Sequence, residues 1–308
     1  MRIAIASSSL LALPTLEAIS GSSNELVAII TTPDSEQGRG RVLTPSDLAQ
    51  WAADQPIPVY KFNKESISDF LRSHQIDLVV TLSFGKIVSQ EALDIPPFGW
   101  LNVHFSQLPR WRGAAPVQRA LLEGDTESGI SIFKLDPGMD TGPIYLSKSF
   151  PIPERSTTEE LLHDLSLLAG NEIVAVIEAI QTGAVPTPQS GDGVTYAEKI
   201  SPTMGKIDWQ SSGVHITRLS RALSGNVGLF THFRGTKLNF YGARLFSHDL
   251  SECTPGSPLL TGEKNQKLVI ACSDALIQFD RVKPAGKSEM KSEDFLRGAR
   301  LTSEERFM

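Results

Sequence analysis

The chain is 308 residues long, which allows one large domain or two of ordinary size, and two is the better fit. Its 40% hydrophobic and 21% charged residues are those of a globular protein and exclude collagenous, disordered and disulfide-dense classes. A formal net charge of -6 argues against a nucleic-acid binder taken whole, and no run of about 18 apolar residues exists to span a membrane.

The start, Met1-Arg2-Ile3-Ala4-Ile5-Ala6-Ser7-Ser8-Ser9, reads as a first strand over 2–6 turning into a helix. It is a poor secretory signal, because three serines split the apolar run and no small-x-small cleavage site follows. Further apolar runs bounded by turns occur at 26–31, 58–62, 77–82 and 100–104, with amphipathic helical stretches such as 46–53 and 66–74 between them. That alternation predicts a doubly wound, largely parallel sheet, whose ligands bind at the carboxyl ends of the strands. His104 falls at one such end. A strand over 129–135, a Gly/Asp-rich loop and a strand over 143–150 come next. The stretch 157–181 reads as a long helix opened by Ser156 or Thr157, with Glu159 and Glu160 in its first turn.

Residues 182–195, rich in Gly, Pro, Thr and Ser, predict a connecting segment. The remainder shows a helical stretch over 212–223 and short β-favouring segments at 229–234, 237–241, 267–271 and 276–282, a pattern that suggests a small barrel. Residues 1–200 hold 14 Lys and Arg against 24 Asp and Glu, while the rest holds 15 against 11. A mildly basic tail on an acidic body hints at a polyanionic partner. Two cysteines, Cys253 and Cys272, fit neither a disulfide framework nor a CxxC pair, so buried thiols in a reducing cytoplasmic setting are expected.

The most informative block runs Leu101-Asn102-Val103-His104-Phe105-Ser106-Gln107-Leu108-Pro109-Arg110-Trp111-Arg112-Gly113. Residues two apart on a strand share a face, so Asn102 and His104 deliver an amide and an imidazole to one space. A satisfied structural pair would look the same. The shaped loop that follows favours function. Further on, Leu135-Asp136-Pro137-Gly138-Met139-Asp140-Thr141-Gly142 puts two aspartates among glycines. Asp140 could orient a histidine, and a plain Asx-turn explains Asp136 equally well.

Asn102, His104 and Asp140, with Ser106-Gln107-Leu108-Pro109 and Gly113 between them, resemble the active-site motif of the folate-dependent formyltransferases. The stretch 110–119 is similar to the branch of that family acting on methionine carried by initiator tRNA, and the likeness extends over nearly the whole chain. The resemblance implies an α/β fold with a doubly wound, mostly parallel Rossmann-like sheet, followed by a smaller C-terminal β-barrel of OB-fold type. It places the catalytic domain at 1–189, a linker at 190–206 and a tRNA-binding barrel at 207–308. The implied formyl donor is 10-formyltetrahydrofolate, a co-substrate, and the implied acceptor is initiator methionyl-tRNA. Asn102 and His104 would stabilise the tetrahedral intermediate while Asp140 orients the imidazole. Folate would contact Ser106, Gln107, Leu108, Pro109, Phe84, Gly85, Ile87, Leu135 and Gly138, and the tRNA would meet Arg39, Gly40 and Arg41 in the loop 33–45. Two stretches depart from the family pattern: Ser7-Ser8-Ser9 stands where a Gly-Thr-Pro element is usual, and Asn226-Val227-Gly228 where Asn-Pro-Trp-Pro is.

The six histidines show no HxxxH or HExxH grouping, and no metal is expected. A monomer with no membrane association is expected. Three other readings compete. One is a formyltransferase acting on a UDP-amino-sugar. Another is a noncatalytic nucleic-acid-binding protein, which the acidic body disfavours. The last is a dinucleotide enzyme, which the absence of GxGxxG after Ala6 disfavours.

Overall fold

The computed structural model describes residues 1–37, 40–225, 227–250, 253–260, 267–302 and 304–308. They form two compact units. One comprises Met1–Pro116, Glu127–Ile152 and Leu162–Glu198, the other Val117–Thr126, Pro153–Leu161 and Lys199–Met308.

The chain opens with β1 (Arg2–Ala6), α1 (Leu13–Ser20) and β2 (Glu25–Thr31), then a hairpin of β3 (Ser35–Gln37) and β4 (Val42–Thr44). Next come α2 (Asp47–Ala52), β5 (Val59–Lys61), α3 (Ile67–Ser73), β6 (Leu78–Thr81), α4 (Gln90–Asp94) and β7 (Trp100–His104). After these follow β8 (Arg112–Gly113), α5 (Pro116–Glu123), β9 (Glu127–Lys134), β10 (Ile144–Pro151), α6 (Thr158–Gln181) and β11 (Tyr196–Ala197).

Seven strands pair in the order β10-β9-β7-β6-β1-β2-β5. The pairings among β5, β2, β1, β6 and β7 are parallel, and β9 and β10 add antiparallel strands at one margin. The expected mostly parallel, Rossmann-like sheet is present. Strand order reverses between β1 and β6, so the carboxyl ends of these strands and of β7 share one rim of the sheet.

Local chemistry accounts for the elements. Leu78, Val79 and Val80 of β6 are fully buried, as a strand covered on both faces requires. Ser46 caps α2 by accepting from the Ala49 N–H at 3.2 Å, and Ser89 caps α4 from Ala92 at 3.3 Å. At the start of α6 the Thr157 N–H donates to Glu160 Oε2 at 2.9 Å, a capping box whose hydrogen bonds also hold the Glu160 carboxyl below its usual range. In the Ser7-Ser8-Ser9 turn, Ser9 accepts from the Leu11 N–H and opens a short 3-10 turn before α1. Trp100, 1% exposed, donates its indole N–H to the Ala92 carbonyl at 2.9 Å. Burying a large apolar side chain of this kind contributes roughly 1.5–3 kcal/mol.

Two local expectations change. The stretch 33–45, read as a loop, contains the β3–β4 hairpin, paired from Ser35↔Thr44 to Gln37↔Val42. Its β-favouring Val42 and Leu43 are 65% and 68% exposed, so no burial periodicity marked them. The run 276–282 divides into two strands that join different sheets, and an alternating apolar pattern carries no signal of that switch.

The second unit holds α7 (Gly213–Ala222), β12 (Leu229–Phe233), β13 (Thr236–Tyr241), β14 (Arg244–Ser247), β15 (Leu268–Ala271), β16 (Leu276–Phe279), β17 (Arg281–Pro284), β18 (Met290–Lys291) and α8 (Ser292–Ala299). Its strands are antiparallel and form the sheets β12-β13-β17-β18 and β14-β16-β15. Trp209, Phe233, Phe240, Phe279 and Phe307 interlock in its core, with Phe240 and Phe279 4.5 Å apart by ring centroids. Asn226 of the second departure from the family pattern lies outside the described residues.

Glu305 accepts from Arg234 Nε at 2.6 Å and from the Thr302 N–H at 2.9 Å. The Arg234 hydrogen bond in particular holds its carboxyl below the ordinary value of 4.5. A depressed carboxylate contributes stability that is fully present above its unfolded-chain value and is lost as pH falls through the folded one. Glu305→Gln is therefore expected to flatten the acid limb of a melting-temperature curve taken from about pH 6 to about pH 3. An unchanged limb would remove this ion pair from the acid response.

Candidate active site

The carboxyl end of β7 delivers Asn102 and His104. Register pairs Thr81 of β6 with Asn102, and the Thr81 hydroxyl donates to Asn102 Oδ1 at 2.8 Å while lying 3.0 Å from the Leu101 carbonyl. Accepting through its oxygen leaves the Asn102 amide with its NH2 end to donate. His104 is 6% exposed. Its Nε2 lies 2.8 Å from the Trp111 carbonyl, and since a carbonyl only accepts, Nε2 carries a proton.

The other ring nitrogen, Nδ1, faces Asp140 Oδ2 at 3.7 Å. That oxygen accepts the Gly113 N–H at 2.7 Å, and the Asp140 side chain is only 16% exposed. The carboxylate is thus aimed at the imidazole at slightly more than hydrogen-bond length, close enough to stabilise an imidazolium by charge.

Both flanks of the histidine have unusual backbone. Trp111 has φ +63° and Asp140 φ +53°. Left-handed conformations of non-glycine residues cost about 1–3 kcal/mol each and persist only where the surroundings over-determine them. At Trp111 the Thr195 Oγ1 accepts its N–H at 2.9 Å, and the Thr195 carbonyl accepts the Arg112 N–H at 2.9 Å. Around Asp140, the Gln189 Nε2 donates to the Asp140 carbonyl at 2.9 Å and to the Gly142 carbonyl at 2.8 Å. Gly113, at φ +123°, leaves no room for a side chain, because a Cβ there would lie 2.7 Å from the Ala197 carbonyl oxygen.

The residues expected to meet folate fall into separate environments. Phe84 is 7% exposed and belongs to an apolar cluster against which Leu135, partly buried, packs. Gly85, at φ +64°, turns the chain directly after Phe84, while Ile87 is 87% exposed. Ser106 is buried and donates its hydroxyl to the Arg110 carbonyl at 2.6 Å. The Gln107 amide, in the orientation that satisfies both ends, donates to Glu127 Oε1 and the Ser128 carbonyl, each at 3.1 Å. Leu108 is 6% exposed and joined to Pro109 by a cis peptide bond. Gly138 donates its N–H to Asp136 Oδ1 at 3.0 Å, the Asx-turn anticipated for Asp136. The Ser106 and Gln107 side chains are committed to protein partners.

Arg39 lies outside the described residues. Gly40 and Arg41 are exposed beside the hairpin turn, and Arg41 Nε is 3.9 Å from Glu36 Oε2. Among the described residues no cluster of three or more His, Cys, Asp or Glu could hold a metal, and no helix is long and apolar enough to cross a membrane.

Sequence reasoning missed Thr81 and Gln189. Thr81 could have been suspected as the end of the strand beside Asn102. Nothing local marked Gln189.

Comparison with known proteins defines the class of this arrangement. The formyl transferase profile matches residues 1–177 and the formyl transferase C-terminal domain profile matches residues 199–300. The chain belongs to the formyl transferase family and is a transferase. It is 36% identical over 311 residues to the methionyl-tRNA formyltransferase of Thermobifida fusca, covering 100% of this chain and 99% of that protein. Among solved structures it is similar to the methionyl-tRNA formyltransferase of Clostridium thermocellum, with TM-score 0.59, 18% identity and coverage of 91% and 98% of the two chains. It is also similar to an N-formyltransferase of Helicobacter canadensis, solved with folinic acid and dTDP-3-aminofucose, with TM-score 0.66, 21% identity and coverage of 91% and 99%. At those identities the structural likenesses speak for the fold.

Proposed function

We propose that the chain transfers the formyl group of 10-formyltetrahydrofolate to the α-amino group of methionine on initiator tRNA. The observation that carries this reading is full-length 36% identity to methionyl-tRNA formyltransferases, which spans both units. The site's chemistry agrees with it. The NH2 end of Asn102, the His104 imidazole and the Asp140 carboxylate supply the donor, the base and the counter-charge that formyl transfer needs. On this reading residues 1–189 form the catalytic domain, 190–206 the linker, and 207–308 the tRNA-binding part.

Attack of a neutral amine on a formyl carbon develops negative charge on the formyl oxygen. The NH2 end of Asn102 is the donor for that oxygen, held there by Thr81. His104 keeps its Nε2 proton on the Trp111 carbonyl, so Nδ1 is the nitrogen that takes the proton the neutral amine sheds once it has added to the formyl carbon, and returns it to the departing folate nitrogen. Asp140 stabilises the imidazolium formed between those two transfers.

The test presents the protein with formyl donor and either charged initiator tRNA or a UDP-amino-sugar. Formylated methionyl-tRNA alone is expected. Formylation of the sugar and not the tRNA would overturn the acceptor assignment while leaving the transfer chemistry in place.

A further inference from the structure

We propose that Gln189 is a positioning residue for formyl transfer, setting the place of the Asp140 carboxylate beside His104. The inference rests on the catalytic reading of His104 and Asp140 given above. Asp140 sits in a loop whose backbone is bent into the left-handed region, so its side chain points at the imidazole only while that bend is held. Beside the Thr141 hydroxyl bonded to Asp136 within the loop, Gln189 holds it from outside. Both of its amide hydrogens are spent on carbonyls of this loop, at Asp140 and Gly142, within 2.9 Å.

The opposite end of the same amide is fixed as well. Gln189 Oε1 accepts from Arg112 Nε at 3.1 Å and Arg112 Nη2 at 2.6 Å. Arg112 stands between Trp111, whose carbonyl holds Nε2 of His104, and Gly113, whose N–H holds Asp140 Oδ2. One planar amide therefore ties the loop carrying the carboxylate to the segment carrying both hydrogen-bond partners of the pair. The whole donor and acceptor capacity of Gln189 toward these groups is satisfied within hydrogen-bond distance, the condition under which a supporting residue fixes geometry.

Two variants separate the roles of its two ends. Gln189→Ala removes both, and Gln189→Glu keeps the acceptor for Arg112 while losing the two N–H donors. In each, kcat is expected to fall roughly tenfold to a hundredfold, with KM for donor and acceptor within about twofold of the parent, since the substrates are not touched. In an Asp140→Ala background, followed under single-turnover conditions, Gln189→Ala is expected to cause no further loss, because its effect passes through that carboxylate.

Parental kcat in Gln189→Glu, or a loss that multiplies with Asp140→Ala, would overturn the proposal. Circular dichroism and melting temperature show whether the alanine variant folds, and the glutamate variant keeps the question open to refutation if it does not. Full activity in Asp140→Ala and His104→Ala would instead refute the catalytic reading beneath it. Inactive His104→Ala alongside fully active Gln189 variants would sink this inference alone.

Discussion

Replacing His104 by alanine is expected to slow formyl transfer roughly a hundredfold to ten-thousandfold, with donor and acceptor binding nearly unchanged. Nδ1 of the imidazole faces the Asp140 carboxylate, and Nε2 is engaged with the Trp111 carbonyl. The substitution also removes the Nε2 donor from the Trp111 carbonyl, and loss of a hydrogen bond costs about 0.5–1.5 kcal/mol. A melt of the variant must therefore accompany the rate, and His104→Gln supplies a variant with an amide donor of similar reach to Nε2. Asn102→Ala should lose a separate oxyanion donor, about 3 kcal/mol in the barrier. Product formation is followed by transfer of labelled formyl under saturating donor, and full turnover in His104→Ala would refute the assignment.

Gly113→Ala is expected to damage stability and rate together. The added methyl would sit 2.7 Å from the Ala197 carbonyl oxygen, on a residue whose φ of +123° side chains rarely adopt. Strain of this kind costs about 1–3 kcal/mol, and the displacement needed to relieve the overlap adds about 1–3 kcal/mol. Relief means separating β8 from β11, which are paired at Gly113↔Ala197. That movement withdraws the Gly113 N–H from Asp140 Oδ2, so a rate loss on the order of a hundredfold should accompany the lower melting temperature. Gly191→Ala, where a methyl meets open space, is the control and should change neither. Equal behaviour of the two variants would mean that the β8–β11 contact does not brace the site.

The features most legible in the sequence were those with periodicity. β7 lies over 100–104 as read, and α6 begins one residue after the expected start, because burial on a strand and on a long helix writes itself into adjacent residues. His104 and Asp140 could be paired through family resemblance, and the 3.7 Å separation then supplied the geometry. What stayed hidden was long-range. Gln189 lies 49 residues from Asp140 in a stretch read as a mere connection, and its role depends on where that stretch returns. There Thr187 and Ile144 exchange backbone hydrogen bonds of 2.8 Å, docking the segment beside β10. Helices α5 and α8 were also unread, although their apolar residues recur at helical spacing.

The central sheet ends on two margins, and each is guarded against unwanted lateral association. β5 is three residues long, too short to template much of another chain, and its last residue, Lys61, is salt-bridged to Asp34 at 2.5 Å. β10 is longer, but Ser147, Lys148 and Ser149 are exposed along it, and it finishes in Pro151, which has no N–H to lend. Lys148 is further held by Glu172. An intruding strand would have to desolvate that pair before gaining any ladder, so a chain that emerges from synthesis with this sheet assembled offers aggregating partners little purchase.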